Sequence, residues 1–240
     1  MTGLISEHKV NCTMNYILML ILFSTIITIS CNSKSEAPSK SDSTALHKTT
    51  PVIDSTETAQ TIIFFGNSLT AGYGVEPTQA FPALIGRKLD SLDLPYKVVN
   101  AGVSGETSSG GNGRIDWILR QPVQIFVLEL GGNDGLRGIP VEETKKNLQA
   151  IIDKVRSKYP SVKIIIAGMQ IPPNMGQRYT TAFRNMYPEL AQKNNATLIP
   201  FLLKGVGGEA SLNLEDGIHP TPKGHRILAE NVWEVLEPLL

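Results

Sequence analysis

The feature that most constrains this chain is an alternation of two kinds of segment. Five short runs rich in β-branched and aromatic residues, at 62–65, 97–100, 124–130, 163–167 and 197–201, are separated by longer amphipathic stretches at 79–92, 114–121, 141–158 and 179–193. A last helical stretch follows residue 221. Runs such as IIFF and IFVL are apolar at every position, as strands covered on both faces are. Strands alternating with helices on this spacing build a parallel sheet with helices packed against both sides. The expected class is therefore α/β, with a five-stranded parallel sheet.

Upstream of that pattern the chain changes character. Residues 16–29 form an apolar run broken only by a few Ser and Thr, shorter than the roughly 20 residues of a comfortable bilayer span. The run fits the hydrophobic part of a secretory signal. Cys31 directly behind it resembles the lipidated cysteine of bacterial lipoprotein signals, so residues 1–31 are expected to be a leader of that type, begun at Met1 or Met14. Residues 32–60, rich in Ser, Thr, Lys and Glu, read as a flexible linker. The folded domain is expected over 61–240. This organisation implies an exported protein of the cell envelope, held by acyl chains at a membrane surface and facing the periplasm or the cell exterior.

Composition narrows the chemistry of the domain. The 240-residue chain is 41% hydrophobic, enough for a sizeable core. Between 61 and 240, 18 basic residues face 17 acidic ones with no basic stripe, so nucleic acid is not an expected partner. Both cysteines, Cys12 and Cys31, precede the domain, which excludes a disulfide, a thiolate metal site or a cysteine nucleophile within it. With only His219 and His225 in the domain, metal ligands are scarce, and no metal or cofactor is expected. The glycines of NAGVSG fit neither the dinucleotide fingerprint nor the Walker spacing.

In an open parallel sheet, ligands bind beyond the carboxyl ends of the strands. Four segments follow expected strands or return to that edge: 66–68 (GNS), 100–105 (NAGVSG), 131–134 (GGND) and 216–219 (DGIH). Each alone is ordinary turn chemistry. Together they put a serine, Ser68, where a small molecule would sit. A serine hydroxyl needs an adjacent base to become a nucleophile. Within the domain that base is His219 or His225. His225 falls inside the last helix, whereas His219 has Asp216 three residues before it, close enough to orient the ring and leave Nε2 for the serine. Pro220 disfavours helix at His219, Thr221 is a good N-cap, and Pro222 suits the first helical position.

These motifs, GNSLTAGYG, SGETS, ELGGNDGLRG and EDGIHP, resemble in order those of the SGNH (GDSL) hydrolases, across nearly the whole domain. They are most similar to the bacterial thioesterase, lysophospholipase and arylesterase branch. The resemblance implies a three-layer α/β/α, flavodoxin-like fold. It also implies Ser68 as nucleophile, His219 as base and Asp216 as orienting acid. The oxyanion donors it implies are the backbone N–H groups of Ser68 and Gly105 and the side-chain amide of Asn133. The family pattern has Asp before the serine, and this chain has Asn67. Asn67 keeps local hydrogen bonding without charge, and the triad does not use it, so activity is expected to survive.

The implied substrates are small acyl esters, thioesters or lysophospholipids. The segment MQIPPNMGQRYT, residues 169–180, offers Met, Ile, Pro and Tyr for an acyl pocket or else is a Pro-rich surface loop. The same residues would serve an esterase removing O-acetyl groups from envelope carbohydrate. A lipid-anchored binding module is the reading from another class, and it would not require the triad residues to be complete.

Overall fold

The structure, a computed structural model, describes residues 60–240. The expected signal, Cys31 and almost all of the linker lie outside the described residues. Five strands form one parallel sheet: β1 (Gln60–Gly66), β2 (Tyr96–Gly102), β3 (Ile125–Glu129), β4 (Lys163–Ala167) and β5 (Thr197–Ile199). Their order is β2-β1-β3-β4-β5. The sheet therefore grows outward in both directions from β1 and β3, and the crevice at that reversal is where such folds hold ligands. Ser68, Gly105 and Asn133 follow β1, β2 and β3, the three strands that meet there.

The core explains the apolar runs. Ile62, Ile63, Phe64 and Phe65 of β1 and all of β3 are buried, because helices cover both faces. The large helices are α2 (Phe81–Ser91), α3 (Ser108–Ile118), α5 (Val141–Lys158), α6 (Gln177–Lys193) and α7 (Pro222–Leu236), with short α1 (Ser68–Ala71) and α4 (Gly132–Leu136) at the carboxyl edge. Thr221 caps α7, accepting from the Gly224 N–H, with Pro222 in the first turn.

Three of the differences from the sequence reading have a clear local reason. The helix expected from 114 begins at Ser108, because Thr107 caps it and Gly111 fits where a Cβ would stand 2.5 Å from Leu130 Cδ1. Glycine is thus a packing requirement there. GGND, read as a turn, holds α4, and the positive φ falls on Gly131 (105°) and not on Asn133. β5 stops at Ile199, before Pro200.

Candidate active site

The serine stands on a turn that the local sequence builds. β1 ends at Gly66, and Asn67 caps α1 by accepting from the Leu69 N–H at 2.9 Å, so Ser68 opens the helix at the sheet edge. Its hydroxyl lies 2.9 Å from His219 Nε2. On the far side of the ring, Nδ1 lies 2.6 Å from Asp216 Oδ2. Asp216 Oδ1 accepts from the N–H groups of Ile218 (2.8 Å) and His219 (2.9 Å), a compact turn completed by Gly217 at φ 67°. Those donors and the imidazole hold the Asp216 carboxyl down at about 2, well below its ordinary value. The ring is further packed by Tyr73, whose centroid is 4.5 Å away.

His225, the other candidate base, is not part of this chain of contacts. It is buried in α7, with Nδ1 accepting from the Phe81 N–H at 3.3 Å. Burial, and behind it the charge of His219, pushes its pKa down to about 4.

The remaining expected residues flank the serine. No acceptor among the described residues takes the backbone N–H of Ser68 or of Gly105. Gly105 adopts φ 79°, and its carbonyl accepts from Arg137 Nη2 at 3.0 Å. Asn133 donates one amide hydrogen to the Glu106 carbonyl at 2.9 Å, leaving the other for a ligand.

A supporting shell escaped the sequence reading. Asp134 is fully buried and accepts from the Ser108 N–H (2.8 Å) and Ser108 Oγ (2.5 Å), tying the segment of Asn133 to the start of α3. Arg114 forks onto Glu106 through Nε and Nη2, both at 2.5 Å, reaches the Ala101 carbonyl at 2.8 Å, and lies over the Phe65 ring. Glu129 lies beneath Asn67. Its signal was present in IFVLE: one carboxylate ending an otherwise apolar strand must find donors in the interior. Among the described residues no group of three His, Cys, Asp or Glu is placed to hold a metal ion. No described helix is long and apolar enough to cross a membrane.

A serine, an imidazole and a carboxylate in sequence at the carboxyl edge of a doubly wound sheet are the arrangement of a serine hydrolase. The comparisons give the particular lineage. The chain matches the GDSL-like lipase/acylhydrolase family over residues 64–227. It is 40% identical over 183 residues to esterase TesA of Pseudomonas aeruginosa, covering 76% of this chain and 90% of that one. To thioesterase 1/protease 1/lysophospholipase L1 of Escherichia coli it is 36% identical over 183 residues, covering 76% and 86%. A solved structure of the psychrotrophic esterase EstA from Pseudoalteromonas sp., inhibited by monoethylphosphonate, is similar with a TM-score of 0.71 at 30% identity, covering 75% of this chain and 97% of that one. The chain belongs to the GDSL-like lipase/acylhydrolase family and is a hydrolase of ester bonds.

Proposed function

We propose that this protein is a serine esterase that cleaves acyl esters and thioesters through Ser68, His219 and Asp216. The observation that carries this reading is the unbroken run of contacts from Ser68 Oγ to His219 Nε2 and from Nδ1 to Asp216. His219 takes the hydroxyl proton as Ser68 Oγ attacks the acyl carbonyl. It then protonates the leaving alcohol or thiol, and an acyl-serine remains. Water repeats the sequence, with His219 again as base, and releases the acid. Asp216, ionised throughout, holds the tautomer that leaves Nε2 free and stabilises the imidazolium. The N–H groups of Ser68 and Gly105 and the free amide hydrogen of Asn133 are the donors for the oxyanion, worth about 3–4 kcal/mol each in comparable sites.

Apolar side chains support an acyl substrate. Tyr73, Val103, Leu136 and Ile218 are all exposed, and each sits on a segment carrying one of the reacting or oxyanion residues. Met175 and Tyr179 line a concavity of about 410 Å³ on the segment read as an acyl pocket or else a Pro-rich surface loop. That segment packs on α4, since a Cβ at Gly135 would stand 2.5 Å from Ile171 Cγ2. The named activities of the relatives, on esters, thioesters and lysophospholipids, are of the same acyl class. Export and attachment through acylated Cys31 complete the reading, and they rest on the leader sequence. Labelled palmitate should enter the full chain and be lost in Cys31→Ala; equal label in both would refute the anchor.

The test of function is turnover of p-nitrophenyl esters from acetate to palmitate by the full chain beside Ser68→Ala. Hydrolysis extending beyond acetate, and lost in the variant, is expected. Activity confined to acetate would point to O-acetyl groups, and no Ser68-dependent turnover would overturn the reading.

A further inference from the structure

Glu129 is 1% exposed, and its two oxygens divide the turn of Ser68 between them. Oε1 accepts from Asn67 Nδ2 at 2.8 Å. Oε2 accepts from the Asn67 N–H at 3.1 Å and from Thr70 Oγ1 at 2.8 Å. All three donors lie within two residues of the serine. The other end of the Asn67 amide, Oδ1, caps the Leu69 N–H and stands 3.5 Å from Ser68 Oγ. Asn67 therefore links a carboxylate fixed on β3 to the attacking atom. Gly66 permits the approach, since a Cβ there would stand 2.5 Å from Glu129 Oε2 and 2.1 Å from Thr70 Oγ1.

Donor and acceptor matching singles out an amide at position 67. An aspartate, the residue of the family pattern, would set an oxygen where Asn67 has Nδ2, facing Glu129 Oε1 acceptor to acceptor. That pair is stable only while it holds one proton. Asparagine has the shape and the hydrogen bonding of the protonated acid at every pH. We propose, on the reading that Ser68 is the nucleophile, that Glu129 is the positioning residue of the nucleophile turn and Asn67 its fixed amide partner, which frees the turn from dependence on a shared proton. A proton gained or lost at Oε2, where Thr70 Oγ1 accepts as readily as it donates, leaves Oε1 an acceptor for Asn67.

The other ionisable groups around this carboxylate stay out of the pair. Tyr187 of α6 donates to the Leu130 carbonyl at 3.0 Å. Arg114 of α3 reaches the Gly66 carbonyl, and Asp134 of α4 is held by Ser108. His219 meets the turn only through Ser68 Oγ.

An exchange of the two polar ends tests the proposal. Glu129→Gln sets an amide nitrogen against Asn67 Nδ2 or, with the amide flipped, against the Asn67 backbone N–H, donor to donor either way. Asn67→Asp sets oxygen against oxygen. The double variant reverses the bond, with the amide now on β3 donating to the carboxylate now on the turn, and keeps the charge of the pair. Measured as kcat and KM on p-nitrophenyl butyrate from about pH 6 to pH 9, each relative to wild type, N67D should lose about tenfold more kcat at the alkaline end than at the acid end. E129Q should lose about tenfold at every pH with KM little changed, and the double variant should recover most of the rate and lose the alkaline fall. If E129Q does not fold, N67D, of unchanged shape, decides. An N67D profile parallel to wild type, or a double variant no better than the worse single, would overturn the positioning role while Ser68→Ala still abolishes turnover. Turnover surviving in Ser68→Ala would instead refute the nucleophile and this proposal with it.

Discussion

Asp216 shows how one residue's surroundings fix its task. Two backbone hydrogen bonds and the imidazole hold its pKa down to about 2, so it stays ionised throughout the pH range in which an esterase is assayed. An acid limb in the rate would therefore not come from Asp216. Asp216→Asn keeps the volume but removes the charge and the tautomer lock, and should lower kcat by about 10²- to 10⁴-fold with KM little changed. Steady-state kinetics on one ester checks this, and a loss below about threefold would remove Asp216 from the mechanism. Asn133→Ala should cost about 10²-fold in kcat by the same assay, because in the proposed mechanism the amide meets charge that exists only in the transition state. Ser68, His219 and Asp216 were legible in the sequence for a chemical reason: a serine needs a base, the domain has two histidines, and only one has a carboxylate three residues before it; Asn133 came only from the family resemblance. IFVLE shows that Glu129 needs buried donors but not which ones, because Asn67 and Thr70 lie about 60 positions away in the chain.

At the scale of elements, the strands announce themselves and the small edge helices do not. The apolar runs of β1, β3 and β4 are buried on both faces, so hydrophobicity alone locates them. α3 begins in SSGGNG and α4 is GNDGL, compositions that read as loop. Tertiary packing demands small residues in both, at Gly111 against Phe65 of β1 and at Gly135 against Phe183 of α6, overriding their poor propensity. The same demand fixes β2 against α1. A Cβ at Gly102 would stand 2.2 Å from the Ala71 nitrogen, which is backbone and cannot swing aside. Gly102→Ala should therefore destabilise the protein by about 1–3 kcal/mol and lower kcat as well, since α1 carries Ser68. Urea denaturation alongside the ester assay measures both; unchanged stability and rate would show that α1 yields without consequence.

Across the whole molecule, two buried groups tilt stability in opposite directions with pH. His225 has a folded pKa of about 4 against 6.5, so its contribution is complete above 6.5 and is lost as pH falls toward 4. Glu129, pushed up by burial to about 7 against 4.5 and partly restrained by the hydrogen bonds it accepts, contributes fully below 4.5 and loses that as pH rises toward 7. Each spans about 3 kcal/mol, and in their shared window the slopes oppose. Wild-type stability should vary little between about pH 4.5 and 6.5 from these groups. His225→Asn, which keeps an acceptor for the Phe81 N–H, should lose stability as pH rises, and Glu129→Gln should gain it. Guanidinium unfolding at the two pH values reads the signs, and equal signs for both variants would contradict this balance.

In the proposed mechanism Ser68 forms the acyl intermediate. The most direct measurement is the mass of the full chain after an ester-mimicking phosphonate has inactivated it, with the modified peptide sequenced. One adduct per chain on Ser68, formed in step with loss of turnover and strongly slowed in His219→Ala, is the predicted result. Inactivation with the adduct on another residue, or full turnover with Ser68 modified, would contradict it.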